Sequence, residues 1–302
     1  MDKKTVLIFI LILAGLATAG LFRSSYTVDD SAGAEGTHRA APYDREFYDT
    51  VYSFKKKTAD LGGRSALAGV VPHHLLAGDL IAEFYSNLAG EEPDLVVLIG
   101  PNHYGAGESV FISSDYGWDT PFGTLKCDRS ALAELKEALG AGIDPEAVNA
   151  DHSMTSQAGF IKKTFPKAGF VPIMLKSEVK ADEAARLAAA LESLARKRKT
   201  FVIASIDFSH YQDGPTAAAH DRAAIAALAE ADFGAVYALD IDSPPSLYAL
   251  MKYGELKGAE FTLLNNSNSA RLAGKEDIDS TTSYVTGYFL APIQELTGKF
   301  FN

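Results

Sequence analysis

Thiol is nearly absent from this chain: Cys127 is the single cysteine in 302 residues. That excludes an intramolecular disulfide and any multi-cysteine zinc or iron–sulfur site. Positive charge is scarce too, with 28 Lys and Arg against 39 Asp and Glu, a net charge of -11 and a pI near 5.1. Phosphate affinity comes from clustered Lys and Arg, so no nucleic-acid partner is expected. The runs Lys55-Lys56-Lys57 and Arg196-Lys197-Arg198-Lys199 read as a solvated helix face and a short exposed basic turn. Gly100-Pro101-Asn102 lacks the glycine spacing and the Lys-Ser/Thr pair of nucleotide-binding loops. Ser205 and Ser209 lack a G-x-S-x-G elbow, which argues against a serine hydrolase.

What is present is enough apolar residue to bury a sizeable core, at 47% hydrophobic and 22% charged. Met1-Asp2-Lys3-Lys4 is a short basic start, followed by an apolar run from Val6 to Leu16 and the small-x-small site Ala17-Thr18-Ala19. Residues 1–19 therefore read as a signal peptide, or as a membrane anchor if uncleaved, with the body outside the cytoplasm. Membrane contact is expected only through that segment. Residues 20–42, rich in Ser, Gly, Ala and Thr, read as a flexible tether, and 43–302 as one domain, since no Pro- or Gly-rich linker divides them.

Apolar runs alternate with helical patterns along the body. Strands are expected at Ala66–Val71, Asp94–Gly100, Ser109–Ser113, Phe170–Leu175, Thr200–Ile206 and Tyr284–Leu290. Helices are expected at Leu75–Leu88, Arg129–Leu139, Ala181–Lys197, Thr216–Ala231, Ser243–Tyr253 and Ala259–Asn265. Such alternation predicts an α/β fold, a single domain with a largely parallel central sheet flanked by helices.

In open α/β sheets the ligand site lies beyond the carboxyl ends of the strands. His73 and His74 follow the strand ending at Val71 and Pro72, His103 follows Gly100-Pro101-Asn102, and His210 follows Ile206-Asp207-Phe208-Ser209. His152 sits at a helix start where Asp151 or Ser153 can cap the first turn. His38 and His220 read as ordinary residues of the tether and of a helix face. Packing does not require imidazoles at four separate strand ends and adjoining loops, so they point to a shared site. Two imidazoles and a carboxylate on one face suit non-haem Fe(II), and the same set can hold zinc with a water for hydrolysis.

The segments Val71-Pro72-His73, Gly100-Pro101-Asn102-His103, Asp151-His152-Ser153 and Asp207-Phe208-Ser209-His210-Tyr211 together resemble the Memo family, known in bacteria as AmmeMemoRadiSam system protein B. Thr120-Pro121-Phe122-Gly123 and Ser283-Tyr284-Val285 add to the match, which spans about residues 65 to 290 in order. The family is similar in fold to the class III extradiol dioxygenases, which hold Fe(II) with two histidines and a glutamate. The resemblance implies His73 and His103 as metal ligands. It implies His210 as acid/base with Asp207 beside it, and Asp151 and His152 in the same cleft. Many members place a cysteine ahead of an apolar helix with a Leu-Leu pair. Counting back from Leu263-Leu264-Asn265 reaches Glu255, with Glu260 the competing candidate. A carboxylate there favours Fe(II), with zinc or copper as alternatives. The resulting expectation is a non-haem Fe(II) oxygenase-like redox enzyme. A metal-dependent hydrolase, or a scaffold binding metal or peptide, are the alternatives, acting on an unidentified small-molecule or peptide ligand.

Overall fold

The computed structural model describes residues 36–54, 58–275 and 279–293. The expected leader, residues 1–19, and most of the expected tether lie outside the described residues. In chain order the elements are β1 (Thr37–Arg39), α1 (Arg45–Ser53), β2 (Ala66–Val71), α2 (Gly78–Ser86), β3 (Leu95–Pro101), β4 (Phe111–Ser113), β5 (Gly117–Asp119) and α3 (Arg129–Leu139). They continue with β6 (Gly142–Ile143), α4 (Pro145–Ala150), α5 (His152–Thr164), β7 (Gly169–Leu175), α6 (Ala181–Ala195), β8 (Thr200–Ser205) and β9 (Phe208–Gln212). The last are α7 (Gly214–Glu230), α8 (Pro244–Leu256), β10 (Glu260–Asn268), α9 (Ser269–Leu272) and β11 (Thr281–Leu290). Among the described residues no helix is long and apolar enough to cross a membrane.

The main sheet has nine strands in the order β10-β11-β2-β8-β3-β7-β4-β6, with β9 also paired to β11. Its centre is parallel, β2 with β8 and β3 with both β8 and β7; β10 and β11 run antiparallel to their neighbours, and β4 runs antiparallel to β7 and parallel to β6. Strand alternation explains why β3 is apolar throughout. Leu95, Val97 and Ile99 enter one core layer, and Val96 and Leu98 the other. Helices α3, α6 and α8 pack on the first layer, and α2 and α5 on the second.

Two expectations need correction. Residues 36–42, read as tether, belong to the folded body: Thr37–Arg39 pairs in parallel with Gly117–Asp119, and Ala40 is buried. Short-range composition in that stretch says nothing of a strand whose partner lies eighty residues on. Residues 259–265, read as a helix, are the first part of β10. Gly258, with φ +61, ends α8 in the left-handed conformation and turns the chain back to pair with β11. A register shift between Leu263 and Asn265 buries Leu264 while leaving Leu263 exposed, and this breaks the strand alternation that would have marked it.

Candidate metal centre

The parallel strands β2, β3 and β8 deliver their chemistry at their carboxyl ends, as the sheet topology requires. The turn after β2 presents His73, whose backbone N–H donates to Asp207 Oδ1 at 3.0 Å, while that of His74 donates to the same oxygen at 3.4 Å. Asp207, in the residue pair between β8 and β9, therefore shapes the turn that carries the first imidazole. His73 is buried, and its Nδ1 lies 3.3 Å from Ser205 Oγ. Ser205 gives its own proton to the Ser153 carbonyl at 2.7 Å, so its oxygen is left to accept from His73 Nδ1–H. That fixes the tautomer and leaves the Nε2 lone pair facing the cleft.

His103 is oriented in the same way by a stronger partner. Asp151 accepts from the His103 backbone N–H and from its Nδ1, both at 2.9 Å. It also caps α5 by accepting from Ser153 N–H at 3.0 Å and Ser153 Oγ at 2.7 Å. Burial alone would push the Asp151 carboxyl up, but the His103 bond and charge and the Ser153 bonds outweigh it and hold it at about 2. The start of α5 sits directly against the end of β3, which is why position 100 is glycine: a Cβ there would lie 2.9 Å from Met154 Cε and 3.1 Å from the Ser205 carbonyl oxygen.

The acid facing these rings is Asp242, two residues before the Pro-Pro start of α8. Its Oδ2 lies 3.3 Å from His73 Nε2 and 3.8 Å from His103 Nε2, and accepts from Asp207 N–H at 3.0 Å. Asp207 Oδ2 is 3.7 Å from His73 Nε2. Ligand bonds of about 2.0–2.2 Å separate neighbouring donors by roughly 3–3.5 Å, so these groups stand close to coordination spacing. Asp242 Oδ1 is buried without a hydrogen-bond partner, an unmet valence of the kind a cation satisfies. Two groups of donors could hold a metal ion, His73 with His103 and His152, and His73 with Asp207 and Asp242, the atoms of each within 4.8 Å of one another. The donor chemistry thus fits a divalent first-row metal.

Electrostatics separates the imidazoles. Burial lowers His103, but its bonds to Asp151 and Asp242 and their charges prevail and raise it to about 10. His152 stacks on His103 with ring centres 4.3 Å apart and meets His73 edge-on at 4.8 Å. Burial and then the charges of His73 and His103 lower it to about 4, so it is neutral at pH 7. His74 turns away toward Tyr284, whose hydroxyl lies 2.7 Å from its Nδ1. His210 is half-buried and joins neither donor group; its charge reaches His74. Beside it Tyr211, 80% exposed, holds φ at +57, a strained conformation for a bulky residue.

The structure thus brings together His73, His103, Asp151, His152 and Asp207, and leaves His210 at the margin. The expected third ligand is elsewhere. Glu255 lies in the last turn of α8, half exposed and paired with Lys252, and Glu260 is exposed and paired with Arg64 at 2.8 Å. Neither belongs to a donor group. The count back to Glu255 rested on reading Leu263-Leu264 as helix; the helix that rises from the cleft is α8, and the acid ahead of it is Asp242. The sequence signal was Asp242-Ser243-Pro244-Pro245, an acid immediately before a Ser N-cap and proline-led helix.

The family profile described as Memo-like protein matches residues 44–288. A MEMO1 family protein of Pyrobaculum aerophilum is 32% identical over 243 residues, covering 76% of this chain and 85% of that protein. One from Methanosarcina barkeri is 32% identical over 236 residues, covering 73% and 85%. The crystal structure of an uncharacterized protein from Escherichia coli K12 superposes with a TM-score of 0.50 at 14% identity, covering 73% of this chain and 99% of that one. At that identity the likeness bears on the fold alone.

Proposed function

The chain belongs to the Memo-like protein family, and from that premise we propose that it binds one divalent metal ion, Fe(II) by preference, for oxygenase-like redox chemistry. The observation that carries the proposal is Asp242, with one oxygen near both His73 and His103 and the other buried without a partner. Two imidazoles and one carboxylate from three separate chain segments leave open positions toward the cleft. The metal, when bound, supplies Lewis-acid activation and, as Fe(II), electrons for dioxygen chemistry.

The protein's own residues set the conditions for that chemistry. Ser205 and Asp151 fix the His73 and His103 tautomers so that both Nε2 atoms face Asp242. Neutral His152, stacked on His103, offers a nitrogen to a substrate proton at the cleft mouth. His210, one residue before the strained Tyr211, carries protons between that mouth and solvent.

Anaerobic loading of the full chain with Fe(II), followed by oxygen-uptake assays on catechols, tests the proposal. The expected result is one iron per chain, absent in His73→Ala, and uptake with at least one diol. The three-imidazole group of His73, His103 and His152 favours a second reading, zinc-dependent hydrolysis with His152 or His210 as base. Turnover with zinc in the absence of oxygen would select it. Peptide binding that survives metal removal would instead mark a scaffold.

A further inference from the structure

Asp242 is carried by a loop, residues 239–243, that also bears Asp240 and lies against Asp207. Its carboxylate faces that of Asp207, both within 4.8 Å of His73 Nε2 in one donor group, and Asp240 adds a third acid two residues away. Carboxylates this close repel one another, and the His73 and His103 imidazoles against Asp242 oppose that repulsion. Within the loop Leu239 N–H donates to the Val236 carbonyl and Ile241 N–H to that of Leu239, Ser243 caps α8, and Asp242 Oδ2 accepts from Asp207 N–H at 3.0 Å. Ile241 forms an antiparallel bridge with Phe208, and Asp242 N–H donates to the Asp207 carbonyl at 3.2 Å.

A side-chain cluster supplies the rest. Asp240 Oδ2 accepts from Ser209 Oγ at 2.8 Å and lies 2.8 Å from His220 Nδ1, with the hydroxyl and the ring nitrogen 3.0 Å apart. With its proton on Nδ1, His220 and Ser209 both donate to the one carboxylate oxygen. Ser209 is fully buried on β9, two residues from Asp207, and His220 is on α7. The acid of that loop is therefore tied to the strand that follows Asp207 and to the helix behind it. An exposed His–Asp pair is ordinarily worth little; a buried hydroxyl sharing the same oxygen sets this one apart.

We propose that Asp240, held by Ser209 and His220, is a positioning residue for the metal centre, keeping Asp242 against His73 and His103 before a metal arrives. The inference rests on the metal-binding reading above. It differs from a surface ion pair in its consequence, because losing the tie lets Asp242 move away from the donors. Outer partners of metal ligands typically change affinity by about 10–100-fold.

The test is a titration of the full chain with Co(II), followed by its visible absorption, which reports both affinity and coordination geometry. Asp240→Ala is expected to weaken binding by about 10-fold or more and to alter the band shape. Asp240→Asn keeps an oxygen that accepts from both donors and is expected to stay within about threefold of the unaltered chain. His220→Gln, on a partly exposed side chain, covers the case in which Asp240→Ala fails to fold, and is expected to fall between them. Unaltered affinity and spectrum in both Asp240→Ala and His220→Gln, even with a lower melting temperature, would mark a merely structural cluster and overturn the inference. If the unaltered chain gave no saturable Co(II) spectrum, as expected of His73→Ala alone, the metal-binding reading would fall first and the inference with it.

Discussion

His38 is buried and His103 only partly so, and one is held at about 4 and the other at about 10. His38 is walled by Trp118 and Tyr116, with ring centres 4.3 and 5.3 Å away, and its Nε2 meets the Ser114 hydroxyl at 2.7 Å. Burial lowers it, and the weaker upward pull of Asn149 and Asp115 does not compensate. Burial lowers His103 too, but it lies between Asp151 and Asp242. An imidazole in an aromatic wall is packing; an imidazole between two carboxylates, beside a second imidazole, is a place for a cation. The contrast separates a site from a core histidine better than burial does.

Removing the acid from one side of this contrast should have the largest effect. If Asp242 is the proposed carboxylate ligand, Asp242→Ala is expected to cut Fe(II) or Co(II) affinity by about 100-fold or more, whereas His38→Gln leaves metal uptake unchanged; titration of both checks the pair. Asp151→Asn keeps the helix cap but removes the charge behind His103. Metal affinity should fall by roughly 10-fold, and the imidazole, followed by NMR, should titrate well below 10.

The two histidines also predict opposite pH slopes for the metal-free protein. With His38 at about 4 against an ordinary 6.5, the unfolded chain binds the extra proton between those values, so stability falls as pH drops from 6.5 toward 4. With His103 at about 10, the folded chain holds the extra proton, so its contribution is full below 6.5 and is lost as pH rises toward 10. Denaturant melts across this range should show His38→Gln flattening the acid slope and leaving the alkaline one, and His103→Gln flattening the alkaline slope while also changing the acid one through His152 and Asp151. The smallest effect concerns the backbone. Tyr211→Gly should relieve the left-handed strain and raise stability by about 1 kcal/mol in the same melts, without weakening metal binding.

Much of this arrangement was legible in the sequence because local rules governed it. Asp94–Gly100 reads as a doubly buried strand because no polar side chain interrupts it, and β3 runs Leu95–Pro101. Helix α3 has the expected bounds because Asp128 caps it and Gly140, with φ +69, ends it. The convergence of imidazoles at one sheet edge follows from parallel topology, which strand and helix alternation already implied. Asp242 as an acid of the donor group was not legible. An Asp before a Ser-Pro-Pro helix start looks like any cap, and only the docking of loop 239–243 on β9 gives Asp242 its role. Strand β10 hid behind a bulge that leaves adjacent leucines in unlike environments, and β1 behind a partner eighty residues away.

The centre itself can be located by diffraction from crystals of the full chain soaked in Co(II), using the anomalous signal of the metal. The prediction is one strong peak at about 2.0–2.2 Å from His73 Nε2, His103 Nε2 and an Asp242 carboxylate oxygen. A peak at Glu255 or Glu260, or no peak near His73 at a concentration that saturates the protein in solution, would contradict the account.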